Sequence, residues 1–127
     1  MAAQPRVRCC QGNATIAELN YGTHTGVSIV PPTSRTITVI DGWLRSVGSD
    51  PGVNTAFAVT DDAGVVAFSV TRATLNSNAL VRVGASGMTS TNVGTALTGG
   101  SGLKVCATVA NVTTSTSLDY CIYYTIT

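Results

Sequence analysis

The chain reads as an all-β protein, an antiparallel β-sandwich or jelly-roll-like domain. Three observations carry that expectation. Of 127 residues, 20 are threonine and 16 are valine, side chains that favour pleated, half-buried backbone. Apolar and polar residues alternate in short runs, the period of a strand with one buried face. Turn-forming clusters such as Ser49-Asp50-Pro51-Gly52 and Asp61-Asp62-Ala63-Gly64 punctuate those runs, as in a sandwich of about seven short strands.

Residues 1–35 are expected to form an extended N-terminal arm. They show no sustained periodicity and end in Pro31-Pro32, which stops a helix and cannot donate to a central sheet. Within the arm, Gly26 to Val30 suits a short strand and Thr15 to Asn20 one helical turn. The β-sandwich domain is expected over residues 36–127. It opens with Thr36 to Val47, a strand rich in Ile and Val that carries Trp43, with Gly42 as a bulge. Asn54 to Thr60 and Val65 to Thr71 suit a hairpin. Centred between Asp62 and Ala63, it sets Phe57 opposite Phe68, Val59 opposite Val66 and Thr55 opposite Val70, the cross-strand pairs that stabilise sheets. Leu80 to Gly84 reads as a further strand, Met88 to Leu97 suits strand or loop, and Gly99 to Gly102 is a loop.

The closing segments alternate most clearly. Leu103, Val105, Ala107 and Val109 interleave with polar residues, as do Leu118, Tyr120, Ile122, Tyr124 and Ile126. A turn centred between Thr113 and Thr114 pairs Val109 with Leu118, Ala107 with Tyr120, Val105 with Ile122 and Leu103 with Tyr124. The same register sets Cys106 directly across from Cys121, within the span of an intrachain disulfide. The expected core is Phe57, Val59, Val66, Phe68, Val105, Ala107, Leu118, Tyr120, Ile122 and Tyr124, joined by Trp43 and by Ile37 or Val39.

Composition narrows the function. Charged side chains make up 10% of the chain and the net charge is +1, against about a quarter charged in ordinary soluble domains. Such a surface is suited to lying against other protein and offers no electrostatic footprint for nucleic acid. Arg6 and Arg8 are therefore read as solvated or interface arginines. The inventory speaks against catalysis. His24 is the sole histidine, Glu18 the sole glutamate, and no serine sits in a G-x-S-x-G turn. Asp61 and Asp62 are adjacent and point apart in a turn. Gly99-Gly100-Ser101-Gly102 lacks the lysine of a phosphate-binding loop. Neither a metal nor a cofactor is expected, because Cys9, Cys10, Cys106 and Cys121 have no zinc spacing. Val83 to Leu103 is uncharged but broken by glycines, so no membrane span is expected. Met1 to Asn20 has no apolar signal core, so synthesis in a cytoplasm is expected. The sequons at Asn13 and Asn111 then carry no weight.

Vicinal cysteines rarely bond to each other, because the small ring strains the peptide between them. Cys9 and Cys10 are accordingly read as candidates for disulfides to other chains. Arg6, Arg8, Tyr21, His24, Pro31 and Pro32 are the interface candidates of the arm.

The stretch Val93-Gly94-Thr95-Ala96-Leu97-Thr98-Gly99-Gly100-Ser101-Gly102-Leu103-Lys104-Val105 leads into Thr- and Ser-rich sequence. Ser117-Leu118-Asp119-Tyr120-Cys121-Ile122-Tyr123-Tyr124 follows. This pattern resembles the small structural proteins of tailed bacteriophages, in particular head decoration (cement) proteins. The likeness covers roughly residues 36–127 and lies in texture and in the closing strands. It implies a virion protein bound outside the major capsid shell, commonly as a trimer, that stabilises the lattice. The partners would be the major capsid protein and copies of the chain itself. The arm with Cys9-Cys10 has no counterpart in that group. The residues leave two other readings open: a tail or head-fibre module that binds a host surface, and a non-viral β-sandwich binding domain.

Overall fold

Leu118, Tyr120, Ile122 and Tyr124 turn to one side of a long strand and Asp119, Cys121 and Tyr123 to the other, and this strand becomes the centre of the larger of two sheets. The computed structural model describes residues 6–14, 35–48, 56–61, 64–71, 79–97, 102–107 and 116–127. Regular structure among them is entirely β. The strands are β1 (Arg8–Ala14), β2 (Ile37–Gly48), β3 (Ala56–Asp61), β4 (Val66–Thr71), β5 (Leu80–Arg82), β6 (Met88–Thr89), β7 (Ala96–Leu97), β8 (Leu103–Ala107) and β9 (Thr116–Ile126). The larger sheet runs β1-β9-β2-β5, with β7 pairing the beginning of β2; the smaller runs β6-β4-β3-β8. All pairings are antiparallel, and the two sheets face each other as a sandwich.

The core lies between them. The larger sheet contributes Ile37, Val39, Leu44, Leu118 and Ile122, and the smaller contributes Phe57, Val59, Phe68, Val70, Leu103 and Val105, all buried. Each such side chain stabilises the fold by about 1.5–3 kcal/mol relative to an exposed position. Gly42 of β2 lies close under the Phe68 ring of the facing sheet. A β-carbon there would stand 2.7 Å from the Cys121 carbonyl oxygen and 3.0 Å from Cζ of Phe68. The missing side chain makes room for the Phe68 ring, which is why glycine occupies this position.

Several expectations need correction. Gly42 is not the bulge: the register of β2 against β9 shifts between Val39 and Asp41. That extra residue reverses the alternation, so Ile37 and Val39 face inward before it and Leu44 and Ser46 after it. Trp43 consequently leaves the core and is only half-buried on the outer face.

The β3–β4 hairpin forms, but its partners differ. Phe57 lies opposite Val70 and Val59 opposite Phe68, with a shift between Val59 and Thr60. Two one-residue insertions account for this. At the turn, Gly64 takes φ +87° and its N–H donates to the Asp61 carbonyl at 3.1 Å, while the Asp61 N–H donates to the Val65 carbonyl at 3.0 Å. The second insertion is Ala67, whose carbonyl accepts from the Asn92 N–H at 3.0 Å, and Asn92 Nδ2 donates to the neighbouring Val66 carbonyl at 2.7 Å. One bulge alone would send Phe57 and Phe68 to opposite faces. Two together restore the parity, and both rings are buried. Val66, expected in the core, is half-buried, and the surroundings of the Ala107 side chain lie outside the described residues.

β8 and β9 do not form a hairpin. β8 pairs with β3, placing Cys106 opposite Ala58. β9 pairs with β1 and β2, placing Cys121 opposite Gln11 and Trp43. The two cysteines therefore belong to different sheets, and all four cysteines are free thiols. Consecutive alternating strands satisfy a sandwich equally well by crossing between layers as by pairing. Finally, part of the expected arm is sheet: residues 8–14 form β1 along the edge of β9. The segments Thr15–Asn20, Gly26–Val30 and Gly99–Ser101 lie outside the described residues.

Candidate functional site

Strand alternation places Asp119, Cys121 and Tyr123 of β9 on the outward face of the larger sheet, and its neighbours bring matching side chains beside them. From β1 come Cys9, Gln11 and Asn13; from β2 come Asp41, Trp43 and Arg45; from β5 come Leu80 and Arg82. Direct pairings set Cys9 beside Tyr123 and Gln11 beside Cys121 on one flank. On the other flank Asp41 lies beside Tyr123, Trp43 beside Cys121 and Arg45 beside Asp119. Trp43 in turn faces Arg82 of β5.

Three interactions organise this face. Arg82 Nη2 forms an ion pair with Asp41 Oδ2 at 2.5 Å. The Arg82 hydrogen bond, opposed only in part by desolvation, holds the Asp41 carboxyl below its ordinary range, and Asp41 Oδ1 accepts from the Gly42 N–H at 2.8 Å. Asn13 Nδ2 donates to Asp119 Oδ1 at 2.8 Å and to Ser117 Oγ at 3.0 Å, tying β1 to β9. Between these polar contacts, Cys9 Sγ lies 3.3 Å from Cys121 Sγ. That sulfur contact raises the Cys9 thiol above its ordinary value, and a hydrogen bond to Cys121 likewise raises the Tyr123 hydroxyl. Leu80 is 54% exposed beside them.

The sequence-predicted residues divide as follows. Cys9 and Cys121 are brought together, although Cys121 had been matched to Cys106. Cys10 faces the opposite way, half-buried against the core beside Ile122, and burial is the main cause of its raised pKa. Cys106 is buried in the smaller sheet, where burial pushes its thiol up. Arg6 and Arg8 are exposed and line a shallow depression with Val7 and Cys9. Tyr21, His24, Pro31 and Pro32 lie outside the described residues. Among the described residues no three metal-ligating side chains converge, and no helix is long and apolar enough to cross a membrane. The grouping of Trp43, Cys9 and Cys121 escaped the sequence reading. Alternation does place Cys121 and Tyr123 on the outer side, but the neighbouring strand was not identifiable.

No protein-family model matches this chain, and no curated protein matches it. Among solved structures, a chain of the cyanophage Pam1 capsid asymmetric unit is similar, with a TM-score of 0.54 at 14% sequence identity. The match covers 98% of this chain and 91% of that one. At that identity the likeness shows a shared fold along nearly the whole length of both chains.

Proposed function

We propose that this chain is a virion structural protein that decorates and stabilises a bacteriophage capsid through protein–protein contacts, in association with copies of itself. The observation that carries this reading is the whole-length fold likeness to a chain of a phage capsid asymmetric unit. Composition supports it independently: a chain with 10% charged residues suits burial against other protein. The sequence resemblance to head decoration proteins adds the position outside the shell and the trimer. We assign the outer face of the larger sheet to contact with the capsid protein. It presents the half-buried Trp43 and Tyr123 and the exposed Arg45 and Arg82, the residue types that anchor interfaces.

Quantifying the chain against the major capsid protein in purified particles tests the proposal. A decoration protein is present in stoichiometric proportion to the shell, and cryo-electron microscopy places its density on the outer surface. A few copies confined to the tail would replace this reading with that of a tail module. Absence from particles, with specific binding of a glycan, would support a binding domain instead. The trimer is checked by light scattering, which should return three times the 13.0 kDa chain mass.

A further inference from the structure

We propose that Cys9 and Cys121 close an intrachain disulfide that fastens β1 to the centre of the larger sheet. The two residues sit diagonally on the outer face, Cys9 opposite Tyr123 and Cys121 opposite Gln11. Their sulfurs are 3.3 Å apart although the residues are 112 positions apart in sequence. A disulfide needs a separation of about 2.05 Å, so the sulfurs must approach by about 1.3 Å. Diagonal neighbours on an antiparallel pair stand about 7–8 Å apart, at the limit a disulfide spans, so closure draws β1 toward β9. Among the described residues β1 ends the strand order β1-β9-β2-β5 and is held on one flank, which leaves it free to make that shift. The other cysteines do not compete for these sulfurs: Cys10 turns toward the core and Cys106 lies in the other sheet.

Access sets the order of events. Cys9 is exposed and Cys121 is 1% exposed, so a bulky reagent reaches Cys9 first. A small-molecule disulfide such as oxidised glutathione is the oxidant. The Cys9 thiolate attacks one of its sulfurs and releases one small thiol, leaving a mixed disulfide on Cys9. The Cys121 thiolate then displaces the second small thiol and forms the Cys9–Cys121 bond. Two protein thiols are oxidised, one small disulfide is reduced to two small thiols, and the protons pass to the leaving thiolates. The product removes the opening that edge strands undergo most easily.

The test uses the full chain incubated with oxidised glutathione, then quenched and digested with trypsin. The expected product is a monomer on a non-reducing gel, lighter by about 2 Da for the two hydrogens lost, with two of the four thiols still free. A peptide beginning at Cys9 should be joined to the one containing Cys121, with fragmentation placing the bond between those two residues. The link should vanish in Cys9→Ser and persist in Cys10→Ser. Oxidation should also slow hydrogen exchange of the β1 amides by about tenfold or more. Four free thiols after treatment, a linked peptide that survives Cys9→Ser, unchanged exchange, or a covalent dimer through Cys9 would each overturn the proposal.

Discussion

The two sheets differ in what lies on their outer faces. On the smaller sheet the outward positions Ala58, Thr60 and Cys106 are as buried as the inward ones, with exposures of 0%, 2% and 0%. Farther along the same side Ser69 and Lys104 are half-buried and Thr71 is exposed, so the closure is confined to part of the sheet. The larger sheet carries Trp43, Tyr123, Arg45, Arg82 and Leu80 outward, all half-buried or exposed. The smaller sheet is thus buried on both sides over Phe57–Thr60, while the larger keeps a face of large aromatic and charged groups at the surface. Substitutions in the first should cost stability, and substitutions on the outside of the second should cost association.

The largest effect is expected at Phe68, fully buried between the sheets above Gly42. Phe68→Ala should destabilise by about 3–5 kcal/mol, read from the midpoint and slope of urea unfolding. Next comes the outward side of the smaller sheet. Ala58→Leu adds volume where nothing is exposed and should cost about 1–3 kcal/mol. A cost near zero would mean that this face is no more closed than the other, and the contrast would collapse.

Trp43→Ala probes the opposite side. Because the ring is half-buried, unfolding should shift by only about 1–2 kcal/mol, while particle binding weakens by about tenfold or more. Binding at wild-type strength would move the contact surface elsewhere. The smallest effect belongs to the Arg82–Asp41 pair, whose side chains are 65% and 31% exposed. Its folded carboxylate pKa is depressed, so its contribution is complete above the unfolded value of about 3.9. It is lost as pH falls through the folded value. Arg82→Gln should therefore slightly flatten the loss of stability as pH falls below about 4, and a slope identical to wild type there would remove the pair from the account of this face.

Local patterning revealed the β class, the β3–β4 hairpin and the buried side of β9, because each rests on residues close in sequence. Phe57 and Phe68 were placed inward correctly because parity survives an even shift of register, and Tyr120 and Ile122 because alternation within one strand does not depend on its partner. What escaped is non-local. Nothing in Leu103–Ala107 states that its partner is β3 rather than β9, so Cys106 was set against the wrong strand. Trp43 was misplaced because Ile40 carries no sign of a bulge. β1 was missed because Arg-Cys-Cys-Gln-Gly-Asn-Ala lacks an apolar alternation. Its inward Gly12 is opposite Tyr120, whose hydroxyl would lie 2.5 Å from a β-carbon there, so an aromatic from the next strand fills the place of the missing side chain. The site was legible only in halves: Cys121 and Tyr123 on one strand, Cys9 on a segment read as an arm.

The central position of β9 also sets an order of events in time. β3 and β4 are joined by a short turn and can pair as soon as both have been synthesised. β9 lies between β1 and β2, and Arg8 must meet Tyr124 across almost the whole chain. Long-range pairings of this kind bear the entropy of loop closure before any contact repays it, and they form slowly. Until β9 is made, the facing edges of β1 and β2 lack the strand that joins them, and the core side of β2 has no completed sheet around it. The larger sheet is therefore assembled last, and the interval before its closure is when this chain is most exposed to mispairing with other copies.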